Sequence, residues 1–124
     1  MPPGESIWSL RTEARLKAYA PYSNFRVGAA AQTKSGSIFQ GCNIENSSYG
    51  STVCAEQVAL FNAYIHGERE IEVIAVVADT SPPCSPCGKC CQVIMELAGN
   101  IEIILANLAG DFRVFRMREL LPEA

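Results

Sequence analysis

The sequence predicts an α/β fold, a three-layer α-β-α sandwich on a mixed sheet of about five strands. Three observations carry that expectation. Val73 to Ala78 (VIAVVA) and Ile101 to Ala106 (IEIILA) are largely apolar runs of strand length, the pattern of strands covered on both faces. Segments of helical period lie before and between them. The resulting order, α-β-β-α-β-α-β-β, spreads over 124 residues, a length suited to a single domain (1–124) with one core.

Ile7, Leu10, Ala14 and Ala18 recur at spacings of three and four, which predicts a first helix. Ala20-Pro21-Tyr22-Ser23-Asn24 ends it as a loop. Phe25 to Thr33 reads as a strand, Lys34-Ser35-Gly36-Ser37 as a hairpin-like turn, and Ile38 to Ile44 as a second strand. Asn46 to Ser51 is polar and contains Gly50, so a loop follows. Val53 to Ile65 predicts a second helix with Val58, Phe61 and Ile65 on one face and Gly67 as its C-cap. The third strand is Val73 to Ala78, and Thr80 to Pro86 is a loop. Ser85 and Pro86 suit the N-cap and first position of a third helix. That helix carries Val93, Ile94 and Leu97 and stops at Gly99. Ile101 to Ala106 and Asp111 to Phe115 are the last strands, and Met117 to Leu121 a closing helical turn. No internal repeat, low-complexity tract or linker divides the chain.

Hydrophobic residues make up 48% and charged residues 19%, the balance of a soluble globule. The net charge of -3 argues against a surface that neutralises many phosphates. Nucleic acid, and with it RNA editing, is therefore not the expected partner. No apolar run approaches the ~20 residues of a membrane span, and MPPGESIWSLRTEARLK lacks the apolar stretch of a signal peptide. A cytoplasmic protein without a membrane partner is expected. In such a chain the cysteines at 42, 54, 84, 87, 90 and 91 point to metal or catalysis rather than to disulfides. The single histidine, His66, stands at a helix end before Gly67 and reads as a surface residue favoured by the helix dipole.

The chemistry concentrates in two segments. Cys54-Ala55-Glu56 opens the second helix, and Ser85-Pro86-Cys87-Gly88-Lys89-Cys90 opens the third. Cys87 and Cys90, three apart on a first turn, share a face. Two helix N-termini then converge with three thiols, and their partial positive charge favours the thiolates. Three thiolates suit one Zn²⁺ with an open position for water, and Glu56 is a carboxylate not needed as a ligand. Such a carboxylate serves as a proton partner for that water. A closed structural site with Cys84 as fourth thiolate is the main alternative, although Ser85-Pro86 would then have to turn tightly and Glu56 would have no purpose. A thioredoxin-like redox pair is a weaker one, because CxxC does not follow a first strand here.

At these residues the chain resembles the zinc-dependent cytidine deaminases, in particular the small homotetrameric class. The resemblance also covers Pro21-Tyr22-Ser23-Asn24-Phe25-Arg26-Val27-Gly28-Ala29-Ala30, Gly41-Cys42-Asn43-Ile44-Glu45-Asn46, Ala78-Asp79-Thr80 and Glu119-Leu120-Leu121-Pro122. It implies hydrolytic deamination of cytidine and deoxycytidine with release of ammonia, in pyrimidine salvage. Cys54, Cys87 and Cys90 would hold one Zn²⁺ per subunit. Zinc-bound hydroxide would attack C4 while Glu56 shuttles the proton to ring N3 and then to the leaving ammonia. Phe25 would pack on the pyrimidine, with a plain core aromatic as the alternative. Asn43 and Glu45 would bind a ribose hydroxyl; without the resemblance they would read as solvated loop residues. The backbone at Ala55 and Ser85 would meet the base edge. Tyr49 would reach in from a neighbouring subunit, or else lie on the surface. Two rival functions share the motifs: a blasticidin-type or other modified-cytosine nucleoside deaminase, and a catalytically silent zinc-stabilised binding protein.

Three positions depart from the family pattern. Gln57 follows the catalytic glutamate where relatives usually carry Arg, which bonds the thiolates and offsets their charge. Gln57 brings no charge, so the helix N-termini carry more of that compensation. Cys91 stands where relatives commonly carry Arg; its side chain points about 100° away from Cys90, and it reads as a packed thiol. Relatives often have an aromatic residue shortly after Leu-Leu-Pro, whereas this sequence stops at Glu123-Ala124, so that contact is expected either to be absent here or to have been lost with a truncated end.

Overall fold

The structure, a computed structural model, describes residues 12–21, 26–45, 54–78, 88–108 and 111–120, with residues 88–90 described in backbone only. Among the described residues, 12–15 are helical and form α1. It ends earlier than the periodicity predicts, leaving Ala18 outside. Tyr19 forms a parallel bridge with Ile44 instead: its N–H donates to Asn43 O at 3.0 Å, and its carbonyl accepts from Glu45 N at 2.8 Å. Backbone groups paired in this way are not available to continue a helix.

Five strands follow: β1 (Val27–Thr33), β2 (Ile38–Cys42), β3 (Ile71–Ala78), β4 (Glu102–Asn107) and β5 (Phe112–Arg116). Among the described residues, helices α2 (Ala55–Ile65) and α3 (Gly88–Ala98) lie between strands, and α4 (Met117–Leu120) follows β5. The strands form one mixed sheet in the order β2-β1-β3-β4-β5. Only β3 and β4 run parallel, with α3 as the connection between them. This is the sheet the sequence predicts, with strand ends shifted by up to two residues. The expected N-cap pair Ser85 and Pro86 lies outside the described residues.

One sheet face, with Ala29, Ala31, Ile74, Val76, Ile103 and Leu105, packs in a single cluster with Leu60 and Ala63 of α2, Cys91 and Ile94 of α3, and Met117 of α4. Cys91 is thus a core thiol, as read from the sequence. The other face gathers Ala30, Ala75 and Ile104 with Ile38 and Val73. Ala30 and Ala75 are fully buried, so this face is covered too, as a three-layer sandwich requires.

The facing of α2 differs from the simplest reading of its apolar residues. Phe61 and Ile65 lie on its outer side, Ile65 at 84% exposure, and Val58 is half-buried, while Ala55, Ala59, Leu60 and Ala63 are buried. The reason is Gly41. A Cβ there would stand 2.2 Å from Ala59 N and 2.4 Å from Ala55 O. The helix lies so close to β2 that only glycine against alanine fits at this contact, so Phe61 and Ile65 turn away from it. At its other end α2 closes as predicted. Gly67 has φ +83, its N–H donates to Tyr64 O, and Glu68 N donates to Ala63 O, a Schellman closure.

Candidate active site

The strand registers give the sheet two distinct ends. Val27, Cys42 and Ala78 share one end, since Val27 pairs with Ala78 and Gly28 with Cys42. Both helices carrying the candidate cysteines begin there. The first turn of α2 rests on Gly41, while its C-cap residue His66 stacks on Phe39 further down β2 with ring centroids 5.1 Å apart. Helix α3 follows Ala78 across residues 79–87 and ends beside α2, where Tyr64 Oη donates to Leu97 O. The two helices therefore run the same way, and their positive N-terminal ends meet at the C-terminal ends of the parallel strands. Open α/β sheets place their ligands at this edge.

Cys54 is the N-cap of α2, with extended backbone (φ -79, ψ 154) and no capping hydrogen bond from its side chain. A serine or aspartate there would normally spend its side chain on the helix amides. Glu56 lies in the first turn at 4% exposure, and Gln57 is equally buried. A carboxylate at that depth beside a helix N-terminus is not a solvated surface charge. Ala55 is fully buried, its carbonyl facing Gly41. Cys90 lies on the first turn of α3, and Cys87, Ser85, Phe25 and Tyr49 are outside the described residues. Among the described side chains no group of three metal ligands forms, because two of the three candidate thiols are not among them. The donor set nevertheless fits Zn²⁺: soft sulfur ligands at two aligned helix starts, with a buried carboxylate two residues after one of them.

The expected ribose segment is tightly held. Asn43 N donates to Val27 O at 3.2 Å, and Val27 N donates to Asn43 Oδ1 at 2.9 Å. The Asn43 carbonyl accepts from Tyr19, and Glu45 N bonds the Tyr19 carbonyl. Asn43 is buried, and Glu45 is half-buried beside it. From sequence Asn43 is a ribose ligand or, without the family resemblance, a solvated loop residue; the structure buries it and gives it a structural role, joining the end of β2 to the start of β1.

Burial pushes the Cys42 thiol up, partly offset by Lys17, so it is a poor thiolate. A cleft of about 420 Å³ sits at the far end of the sheet, lined by Lys34, Glu72, Glu102 and Arg116 among others, and holds no candidate residue. Two contributors escaped the sequence reading. Gly41 could have been found as a lone glycine inside a strand pattern, a mark of close backbone approach. Tyr64 had no local signal, because its partner Leu97 is 33 residues away.

Residues 4–106 match the family model described as cytidine and deoxycytidylate deaminase zinc-binding region. The chain belongs to this family. The match carries Zn²⁺ as the cofactor of the fold. Over 113 residues the chain is 53% identical to the cytidine deaminase of Halalkalibacterium halodurans, covering 90% of this chain and 86% of that one. It is 50% identical to the cytidine deaminase of Sporosarcina psychrophila over 121 residues, 97% of this chain and 89% of the relative. Its fold superposes on the crystal structure of cytidine deaminase from Burkholderia pseudomallei with a TM-score of 0.93 at 49% identity, covering 100% of this chain and 99% of that one. The Mycobacterium tuberculosis cytidine deaminase gives 0.81 at 36% identity, with 95% and 93% covered. These family members share the mixed five-stranded sheet with its helices.

Proposed function

We propose that the chain is a zinc-dependent hydrolase that deaminates cytidine and deoxycytidine to the uracil nucleosides with release of ammonia. The observation that carries this reading is the burial of Glu56 two residues after Cys54, at the sheet end where α2 and α3 both begin. Cys54, Cys87 and Cys90 hold the metal. When bound, Zn²⁺ supplies Lewis-acid activation of a water. Glu56 takes a proton from the attacking water and delivers it to ring N3. It then takes the proton of the new C4 hydroxyl and passes it to the departing amino group, so that ammonia leaves as the C4 carbonyl forms. Its place in a first turn keeps the carboxylate near the N-terminal amides and out of bulk water.

Asn43 and Glu45 hold the ribose hydroxyls. The backbone bonds that fix this segment remove an ordering cost from binding. Phe25 covers the pyrimidine face, the backbone of Ala55 and Ser85 meets the base edge, and Gln57 bonds toward the thiolates. Tyr49 reaches the site of a neighbouring subunit in a homotetramer. The outward Phe61 and Ile65, 43% and 84% exposed, support an assembly, since such side chains are costly to leave in water. The whole chain acts as one domain, in the cytoplasm. No helix among the described residues is long and apolar enough to cross a membrane.

Zinc content and ammonia release from cytidine, measured on one purified sample, test the reading. One zinc per chain with release from cytidine and deoxycytidine is expected. Zinc without turnover on a panel of cytosine nucleosides would overturn it.

A further inference from the structure

We propose that Tyr64 is a positioning residue for the metal site, setting the axial register of α3 against α2. The inference rests on the assignment of zinc to Cys54, Cys87 and Cys90. Tyr64 stands in the last turn of α2, and its hydroxyl donates to the carbonyl of Leu97 in the last turn of α3. Carbonyls in a last helical turn have no partner within their own helix. The closing glycine does not serve this one, because Gly99 N is directed at Ile94 O and Met95 O. Tyr64 thus caps the C-terminus of the neighbouring helix. Its ring is held from the other side by the Arg69 guanidinium, 5.0 Å from the ring centroid, and it packs against the same cluster as Ile94.

The consequence is felt at the opposite ends of the two helices. Cys54 lies about 15 Å along α2 from Tyr64, and Cys90 about 10 Å along α3 from Leu97, at 1.5 Å per residue. A helix is stiff along its axis, so a slip at the Tyr64 contact arrives undiminished at the cysteines. Zinc–sulfur distances near ~2.3 Å tolerate only about 0.2 Å. Apolar packing between α2 and α3 resists separation but resists sliding less. A directional hydrogen bond to one carbonyl selects a single register.

The experiment compares full-length wild type with Tyr64→Phe, Glu68→Gln and Cys54→Ala, measuring zinc affinity by chelator competition and Tm with and without zinc. Tyr64→Phe keeps the ring and removes the bond. It should weaken zinc binding roughly two- to tenfold, the equivalent of one net hydrogen bond, and shrink the zinc-dependent rise in Tm. Glu68→Gln loosens the turn between β1 and β2 from the end of α2 without touching α3, so it should lower Tm and leave zinc affinity unchanged. A purely structural Tyr64 would behave like Glu68. If Tyr64→Phe lowers Tm equally with and without zinc and binds the metal as tightly as wild type, the proposal is overturned while the zinc assignment stands. If Cys54→Ala retains wild-type zinc affinity, the assignment falls, and this inference with it. Should Tyr64→Phe not fold, Arg69→Ala frees the ring and should give a smaller loss of zinc affinity, with no loss overturning the proposal.

Discussion

Replacing Gly41 with alanine adds one methyl group at the contact that seats the Glu56 helix. That methyl carbon would lie 2.2 Å from Ala59 N and 2.4 Å from Ala55 O, where ordinary contact begins at 3.4 Å. Both atoms are backbone, so no rotamer change relieves the clash. The helix must retreat by about 1 Å, or β2 must bend by as much. Overpacking of this kind costs ~1–3 kcal/mol, which corresponds to roughly 4–12 °C in Tm for a chain of this size. The functional loss should be larger in proportion. Glu56 directly follows Ala55, and a 1 Å displacement of a reacting group costs on the order of 10²-fold. Ammonia release from cytidine, zinc content and Tm measured on the same sample separate the two effects. A folded Gly41→Ala protein with kcat/KM within about threefold of wild type would refute the argument that this contact sets the position of Glu56.

Glu56→Gln should keep its zinc yet lose at least ~10² in kcat, the low end for a general acid–base group; near-normal turnover would remove the assigned role. Gln57→Arg introduces a charge at a buried position, unfavourable beside neutral thiols but favourable beside zinc-bound thiolates, so zinc should raise the Tm of the variant more than that of wild type. Equal increments would place Gln57 away from the thiolates. Glu68 accepts hydrogen bonds from Ser35 and Thr33, which hold its carboxyl below the ordinary value near 4.5. A lowered folded value means the contribution is complete above pH 4.5 and fades as pH falls through the folded value. The Tm difference between wild type and Glu68→Gln should therefore be widest near neutrality and narrow in acid, and a constant difference would show that these bonds do not respond to the carboxylate charge.

The candidate metal ligands and proton carrier stand out in the sequence because their pattern is local. Cys54 and Glu56 are two residues apart and Cys87 and Cys90 three; Cys54 stands at the start of α2 and Cys90 in the first turn of α3. The runs Val73 to Ala78 and Ile101 to Ala106 were legible for the same reason, since a strand buried on both faces is apolar at every position. The burial of α2 was not. Its large apolar residues suggested one face, and the fold buried its alanines instead. That choice depends on how near β2 approaches, and Gly41 sets the distance from another part of the chain. Asn43 shows the same limit: its residue type suits a sugar, but its bond to Val27 follows from the pairing of β1 with β2.

The sequence by itself thus determined the strands and the family resemblance and offered the candidate donors and proton carrier, all of which rest on residue identity at short spacing. Tertiary structure alone decided that both helices start at one end of the sheet, that Gly41 admits the first turn of α2, and that Tyr64 joins the two helices at their far ends. Periodicity tells a residue that it must be buried, but not against what. The partners are 14 to 33 residues apart in these contacts, and only the folded chain selects them.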